Sequence, residues 1–109
     1  MPAGQEPVAR SFYGGLLGLE EQPVPANIAH LGALWFKRGG LRLHLGIEAD
    51  FRPAKKAHPA LLVEGLDLLA AHLRSAGVSI VPADPIQGCN RFHIFDPFGN
   101  RLELVEPTA

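Results

Sequence analysis

Apolar residues recur along this chain at two different spacings, and each spacing predicts one type of secondary structure. From Pro7 to Leu17 they return every three or four residues, which predicts a helix. The pair Gly14-Gly15 weakens that helix by about 1 kcal/mol per glycine relative to alanine, so we expect an irregular last turn. A second helix is predicted by the stripe of Leu66, Leu69, Leu73 and Ala76, which ends at Gly77, a typical helix stop.

Strand patterns follow each helix in the same order. A short β-like segment comes first, around Val24-Pro25 in the first half and from Val78 to Pro82 in the second. Two strands joined by a tight turn come next in each half. These hairpins pair 34–36 with 41–45 and 92–95 with 101–105. The apolar run from His58 to Val63 predicts one further strand, ahead of the second helix.

The order of elements repeats because the sequence itself repeats. Residues 40–45 return as residues 99–104, with glycine, arginine and two leucines in register. The same shift would place a counterpart of the strand 58–63 before Met1, so the first copy lacks its opening strand. We therefore predict an α+β fold of two βαβββ modules with seven strands in all, the first module being reduced to αβββ. The expected organisation is a single domain over 1–109, with module one at 1–45, a linker at 46–57 and module two at 58–109.

Composition narrows the classes of function. With 109 residues, of which 47% are hydrophobic, the chain can build one core. Its 10 basic and 11 acidic residues leave no charge excess for nucleic acid or an anionic membrane surface. No apolar stretch reaches the roughly 20 residues of a bilayer span, and no signal-peptide pattern opens the chain. We expect a cytoplasmic protein without a nucleic-acid or membrane partner.

Polar residues at the repeated positions predict a site. In the shared Arg-Leu-X-Leu segment, one copy carries His44 and the other Glu103, each between leucines that must face a core. Since side chains two residues apart lie on the same face of a strand, Arg42 accompanies His44, and Arg101 accompanies Glu103. If the two sheets curved around a shared cleft, these polar side chains would all point into it.

The stretch from Phe92 to Leu104, with its Asp-Pro-Phe-Gly-Asn turn and Leu-Glu-Leu strand, resembles the closing hairpin of the vicinal oxygen chelate superfamily. Glyoxalase I, extradiol dioxygenases, and fosfomycin and bleomycin resistance proteins belong to it. The segments Arg10–Tyr13, Leu17–Leu19 and His58–Val63 are similar to the same family, so the resemblance spans nearly the whole chain. It implies a glyoxalase-like fold, a scaffold that hosts both enzymes and plain binding proteins.

The resemblance also implies metal ligands. His58 matches the opening ligand of the second module, Glu103 its closing carboxylate, and His44 the closing position of the first module, where glyoxalase I has a carboxylate. His44, His58 and Glu103 are therefore the candidate ligands of a divalent iron, manganese, nickel or zinc ion, and Glu103 is also the catalytic candidate. The missing first strand normally brings a further ligand. Its absence indicates either an upstream translation start or a truncated relative, and predicts weak metal binding or none.

Further residues match substrate positions. His93 falls where related resistance proteins place a tyrosine that contacts substrate, although it also fits a hydrogen-bonded strand histidine. Arg91, Arg42 and Arg101 are candidates for holding an anionic group, the alternative being exposed or salt-bridged arginines.

Two functions from different classes remain open. One is a metal-dependent lyase, isomerase or dioxygenase acting on a small organic substrate with adjacent oxygens. The other is a metal-free protein that binds and sequesters a small molecule. We expect a neighbouring chain, a loop or a dimer partner to cover the strand edge left bare by the missing strand, and the expected assembly is a homodimer.

Overall fold

The computed structural model describes residues 1–108, which form two compact units that divide between Arg52 and Pro53. Each unit combines a helical segment with its own β-sheet, so the predicted α+β class is confirmed. The boundary after Arg52 lies inside the predicted linker 46–57. That both modules belong to a single domain stays a prediction.

The first unit opens with a short α-helix, α1 (Glu6–Ala9), which continues as a π-helical segment over Arg10–Leu16. In the wider turn, the Leu17 N–H donates to the Phe12 carbonyl five residues earlier, at 2.9 Å. The segment contains the predicted weak point, Gly14-Gly15. Flexible glycines accept this irregular backbone, and the buried side chains of Phe12 and Tyr13 hold it against the core.

The sheet of the first unit contains three antiparallel strands in the order β1-β2-β3. They are β1 (Glu20–Gln22), β2 (Leu34–Arg38) and β3 (Leu41–Leu45), with a 3₁₀ turn at Ala29–Leu31. The hairpin of β2 and β3 is confirmed. The short strand is not at Val24-Pro25 as predicted but ends at Gln22, because Pro23 has no N–H to donate to the next ladder bond.

The sheet of the second unit contains four strands in the order β4-β7-β6-β5. They are β4 (Ala60–Leu62), β5 (Val81–Pro82), β6 (Cys89–Phe95) and β7 (Arg101–Pro107). β4 runs parallel to β7, while the other pairs are antiparallel. The described residues therefore contain seven strands in all, the predicted number.

Helix α2 (Leu66–Ser75) covers one face of the second sheet and lies against β7. Its buried residues are Leu66, Ala70 and Leu73, whereas Ala76 of the predicted stripe is exposed just beyond the last turn. The sheet residues that form this core are Leu61, Phe92, Ile94, Leu102 and Leu104. Because strand side chains alternate, the residues between them project from the opposite face.

No helix within residues 1–108 combines the length and apolar character needed to cross a membrane.

Candidate functional site

Three residues of the second unit meet on the sheet face opposite α2. His93 and Glu103 are direct cross-strand partners on β6 and β7. His58 lies just before β4 and reaches the same place because β4 pairs with β7, and the Glu103 N–H donates to the Pro59 carbonyl at 3.0 Å. Because β7 pairs with both β6 and β4, the sheet brings His58 next to Glu103, which is 45 positions away in the chain.

One carboxylate oxygen of Glu103 is the centre of this group. Oε1 lies 2.9 Å from His58 Nε2, 3.3 Å from His93 Nε2 and 3.2 Å from Arg91 Nη1. The two imidazole rings meet edge to face, with centroids 5.0 Å apart. The side chains are largely shielded, since Glu103 and His93 are each 14% exposed and His58 is 23% exposed.

The backbone fixes the tautomer of His58. Its Nδ1 lies 2.7 Å from the carbonyl oxygen of Lys56, and a carbonyl only accepts, so Nδ1 carries the proton and Nε2 points at Glu103. The hydrogen bond to Lys56 and then the one to Glu103 raise the pKa of His58 above its ordinary value, while burial and the charge of Arg101 oppose them. Hydrogen bonding from His58 above all lowers the pKa of Glu103, and Arg91 and His93 assist. Both shifts favour the ion pair between an ionised Glu103 and a protonated His58.

The donor set fits a divalent metal ion. Two imidazole nitrogens and one carboxylate oxygen lie within 4.8 Å of one another. Ligands about 2.1 Å from an ion and at right angles to each other lie about 3 Å apart, which matches the His58 and His93 distances to Glu103. The Lys56 carbonyl supplies the outer hydrogen bond that metal-bound histidines usually have, and it leaves the Nε2 lone pair available.

The positive charge of Arg91 next to Glu103 opposes the binding of a metal cation at this site. Besides its contact with Glu103, it donates from Nη2 to the Asp84 carbonyl at 2.8 Å, and its side chain is only 14% exposed. The salt-bridged alternative named for this arginine is the one that the structure shows. Its role in holding a substrate stays a prediction.

Arg101 lies beside the group without an acidic partner. It is two residues from Glu103 on β7, and its guanidinium carbon is 5.7 Å from the centroid of the Phe95 ring, its cross-strand partner. Among residues 1–108 no carboxylate pairs with it, and its buried Nε makes no hydrogen bond.

The sequence placed His93 among substrate contacts rather than beside the ligands. The signal that reveals its position is the hairpin register. His93 and Glu103 each lie three residues outside the turn between Asp96 and Asn100, so they must face each other. The Lys56 carbonyl had no sequence signal, because it is a backbone group in a segment without periodicity.

His44 lies in the first unit, on β3. It is exposed, and its ring stacks on that of Trp35, its partner on β2, with centroids 3.8 Å apart and planes 2° from parallel. The donor group described above consists of second-unit residues and does not include it. Metal ligation by His44 stays a prediction.

Together, the two helix-and-sheet units define an α+β protein, and the second unit carries a group of two histidines and a carboxylate that could hold a metal ion. The sequence pattern of the Glyoxalase/Bleomycin resistance protein/Dioxygenase superfamily matches residues 5–104. The chain therefore belongs to this superfamily, which contains the vicinal oxygen chelate proteins. Among curated proteins, none matches the chain.

Solved structures show the same fold. A glyoxalase family protein from Bacillus anthracis is 40% identical, with a TM-score of 0.94 over 99% of this chain and 88% of that one. The fosfomycin resistance protein FosX from Listeria monocytogenes is 17% identical, with a TM-score of 0.76 over 99% of this chain and 87% of that one. TnmS3, an antibiotic binding protein from Streptomyces sp. CB03234, is 20% identical, with a TM-score of 0.75 over 99% and 91%. At these identities the last two are evidence of fold alone.

Proposed function

We propose that the second unit binds a divalent metal ion through His58, His93 and Glu103 and presents it to a small organic molecule with two adjacent oxygens. The observation that carries this proposal is the approach of two histidine Nε2 atoms to one carboxylate oxygen, at 2.9 and 3.3 Å. Two imidazoles and a carboxylate suit iron, manganese, nickel or zinc. The proposed set replaces His44 of the predicted set by His93.

The residues of the chain prepare the site. The Lys56 carbonyl holds the Nδ1 proton of His58, so the Nε2 lone pair faces the ion position. Arg91 and His58 keep the Glu103 carboxylate ionised, as ligation requires. A bound ion would act as a Lewis acid toward the oxygens of the ligand. A lyase, isomerase or dioxygenase reaction is the class of activity that such a site serves.

A second candidate function is metal-free binding of a small molecule. Arg91 favours it, because Nη1 lies 3.2 Å from the same Glu103 oxygen and can balance its charge without an ion. In this case, the chain would sequester its ligand and perform no reaction. Both the resistance protein FosX and the antibiotic binding protein TnmS3 have this fold.

Calorimetry on metal-stripped protein tests the choice. We expect one Mn²⁺, Ni²⁺ or Zn²⁺ ion per chain, with affinity reduced at least about tenfold by Glu103→Gln, His58→Ala or His93→Ala. His30→Ala is the matched control, since His30 is exposed in the 3₁₀ turn of the first unit. Circular dichroism confirms that each variant is folded.

The outcomes separate the two functions and the two ligand sets. Absence of saturable binding by the folded wild-type protein would favour the metal-free function. Tight binding that survives Glu103→Gln would show that the ion lies elsewhere. A loss of affinity in His44→Ala equal to that in His58→Ala would restore the set predicted from the sequence.

A further inference from the structure

The guanidinium of Arg101 is the one charged group on the site face that the described residues do not neutralise. Both arginines have a buried Nε without a hydrogen bond, but the Nη atoms of Arg91 contact Glu103 and the Asp84 carbonyl, whereas Arg101 has no salt bridge within residues 1–108. Arginine stays protonated at all relevant pH values, so this charge is permanent. A half-buried guanidinium with a buried and unpaired Nε is uncommon in folded proteins and calls for an acceptor.

Phe95 holds this charge in place. The guanidinium carbon lies 5.7 Å from the ring centroid, within the range of a cation–π contact. Contact with the ring occupies one face of the planar group and leaves the N–H donors at its edge free for an acceptor. The contact therefore orients Arg101 without neutralising it.

The balance of charge on this face is positive. Arg91 and Arg101 each contribute a full positive charge, against the single carboxylate of Glu103. A divalent ion at the proposed site would increase the excess. Such a face attracts anions, and a fork of N–H donors binds carboxylate and phosphate-type oxygens in pairs.

We propose that the ligand of this site carries an anionic group, a carboxylate, phosphonate or phosphate, which Arg101 binds beside the His58, His93 and Glu103 group. This rests on the proposed function and deepens it by naming the ligand class. Arg101 and Glu103 share a face of β7 with Cα atoms about 7 Å apart, so one small molecule spans both. The ligand is thus a small organic anion with its charged end on Arg101.

Nuclear magnetic resonance of ¹⁵N-labelled, metal-free protein tests the assignment directly. Methylphosphonate, inorganic phosphate and acetate are titrated separately at constant ionic strength, which distinguishes the oxyanion classes. The Nε–H signal of Arg101, identified by its loss in Arg101→Lys, should shift saturably with at least one of them at millimolar concentrations. Arg101→Gln should weaken that binding at least tenfold, and Arg101→Lys by less, because lysine keeps the charge and loses the fork.

Arg74→Gln is the matched control. Arg74 is exposed on α2 and forms no ion pair with the other described residues, 1–108, and its removal changes the net charge by the same amount. It should bind the anions as the wild-type protein does. Calorimetry with Mn²⁺ on Arg101→Gln should show that the metal site is retained, which also establishes that the variant is folded.

Two results would overturn the assignment: no saturable anion shift in the wild-type protein, or equal anion affinity in Arg101→Gln. Its failure is distinct from that of the metal proposal. Anion binding that depends on Arg101 in a protein that takes no metal would support a metal-free binder of organic anions. If the protein bound one metal ion per chain and its anion affinity did not depend on Arg101, the anion proposal would be wrong and the metal proposal would stand.

Discussion

At the scale of single residues, the carboxylate oxygen of Glu103 decides the character of the site. It faces three nitrogen donors, of which only Arg91 is cationic at every pH. In the metal-free state it anchors a salt-bridge network, and the same oxygen is the natural third ligand of an ion. Protonation therefore controls both states, because His58 must lose its Nε2 proton before it can ligate.

The first prediction at this scale concerns pH. The lowered pKa of Glu103 stabilises the fold above the ordinary carboxyl pKa, and this contribution is lost as pH falls through its folded value. The raised pKa of His58 stabilises the fold below the ordinary imidazole pKa, and this contribution is lost as pH rises through its folded value. The metal-free pair should therefore contribute most at about pH 5 to 6.

Urea unfolding of metal-free wild-type protein and Glu103→Gln from pH 4 to 9 measures this. The difference in unfolding free energy should be largest near the middle of that acidic window and shrink as His58 deprotonates. Glu48→Gln, which removes an exposed acid in the first unit, should differ little from wild type throughout. A difference between wild type and Glu103→Gln that does not vary with pH would mean that the His58 contact is absent in solution.

The sequence predicted part of this site for identifiable reasons. His58 and Glu103 were named because they match metal-ligand positions of the superfamily that the strand and turn motifs resemble. His93 joins them through strand register, which fixes a partner once the turn is known. The interactions of Arg91 with Glu103 and Asp84 depend on side-chain conformations, which residue spacing alone does not determine.

At the scale of elements, strand β7 organises the second unit through the face that it turns toward helix α2. Leu102 and Leu104 pack in the core, while Glu106 caps helix α2. Its carboxylate accepts from the N–H of Gly65 at 2.6 Å and from that of Leu66 at 3.2 Å. These are among the N–H groups that a helix leaves without partners, and a negative charge there also suits the helix dipole.

Glu106→Ala should therefore destabilise the protein by about 1 to 2 kcal/mol, the usual cost of losing a helix cap. Glu64→Ala is the control, because it removes the same charge near the same helix end from an exposed residue without such hydrogen bonds. It should cost only a few tenths of a kcal/mol. If the two variants lost equal amounts of unfolding free energy, the effect would come from charge alone, and the capping hydrogen bonds of Glu106 would contribute nothing.

Local chemistry also explains which elements the sequence predicted well. The turn between β6 and β7 was predicted from the proline, glycine and asparagine of its Asp-Pro-Phe-Gly-Asn segment, and in the structure Asp96 accepts from the N–H groups of Phe98 and Asn100. The π-helical continuation of α1 was predicted only as an irregularity at Gly14-Gly15. Its geometry depends on the packing of Phe12 and Tyr13. This is a tertiary interaction, which the helix propensities of single residues do not predict.

At the scale of the whole molecule, the internal repeat is visible in the sequence and in the similar hairpins of the two units. The first sheet contains three strands and the second four. Burial of the strand residues follows their alternation, which is why the core could be predicted from period-two patterns. Oligomeric state has no such periodic signal and must be argued from exposed edges.

The final prediction is a homodimer. β4 is an edge strand of the second sheet. Its Leu62 is 78% exposed, so this edge combines unpaired backbone groups with an exposed apolar side chain. Such edges are normally covered by another chain or protected by charge, and two identical edges bury each other around a two-fold axis.

Light scattering after size exclusion should therefore give twice the chain mass of 11.7 kDa. Leu62→Glu should raise the dimer dissociation constant at least tenfold, about 1.4 kcal/mol, because a carboxylate would lose water at the contact. Leu31→Glu introduces the same charge at a 59% exposed leucine in a 3₁₀ turn and should leave the dimer intact. A wild-type monomer at high micromolar concentration would contradict the homodimer. If Leu62→Glu left the dimer dissociation constant unchanged, the interface would lie away from β4, because an interface at this edge would include the Leu62 side chain.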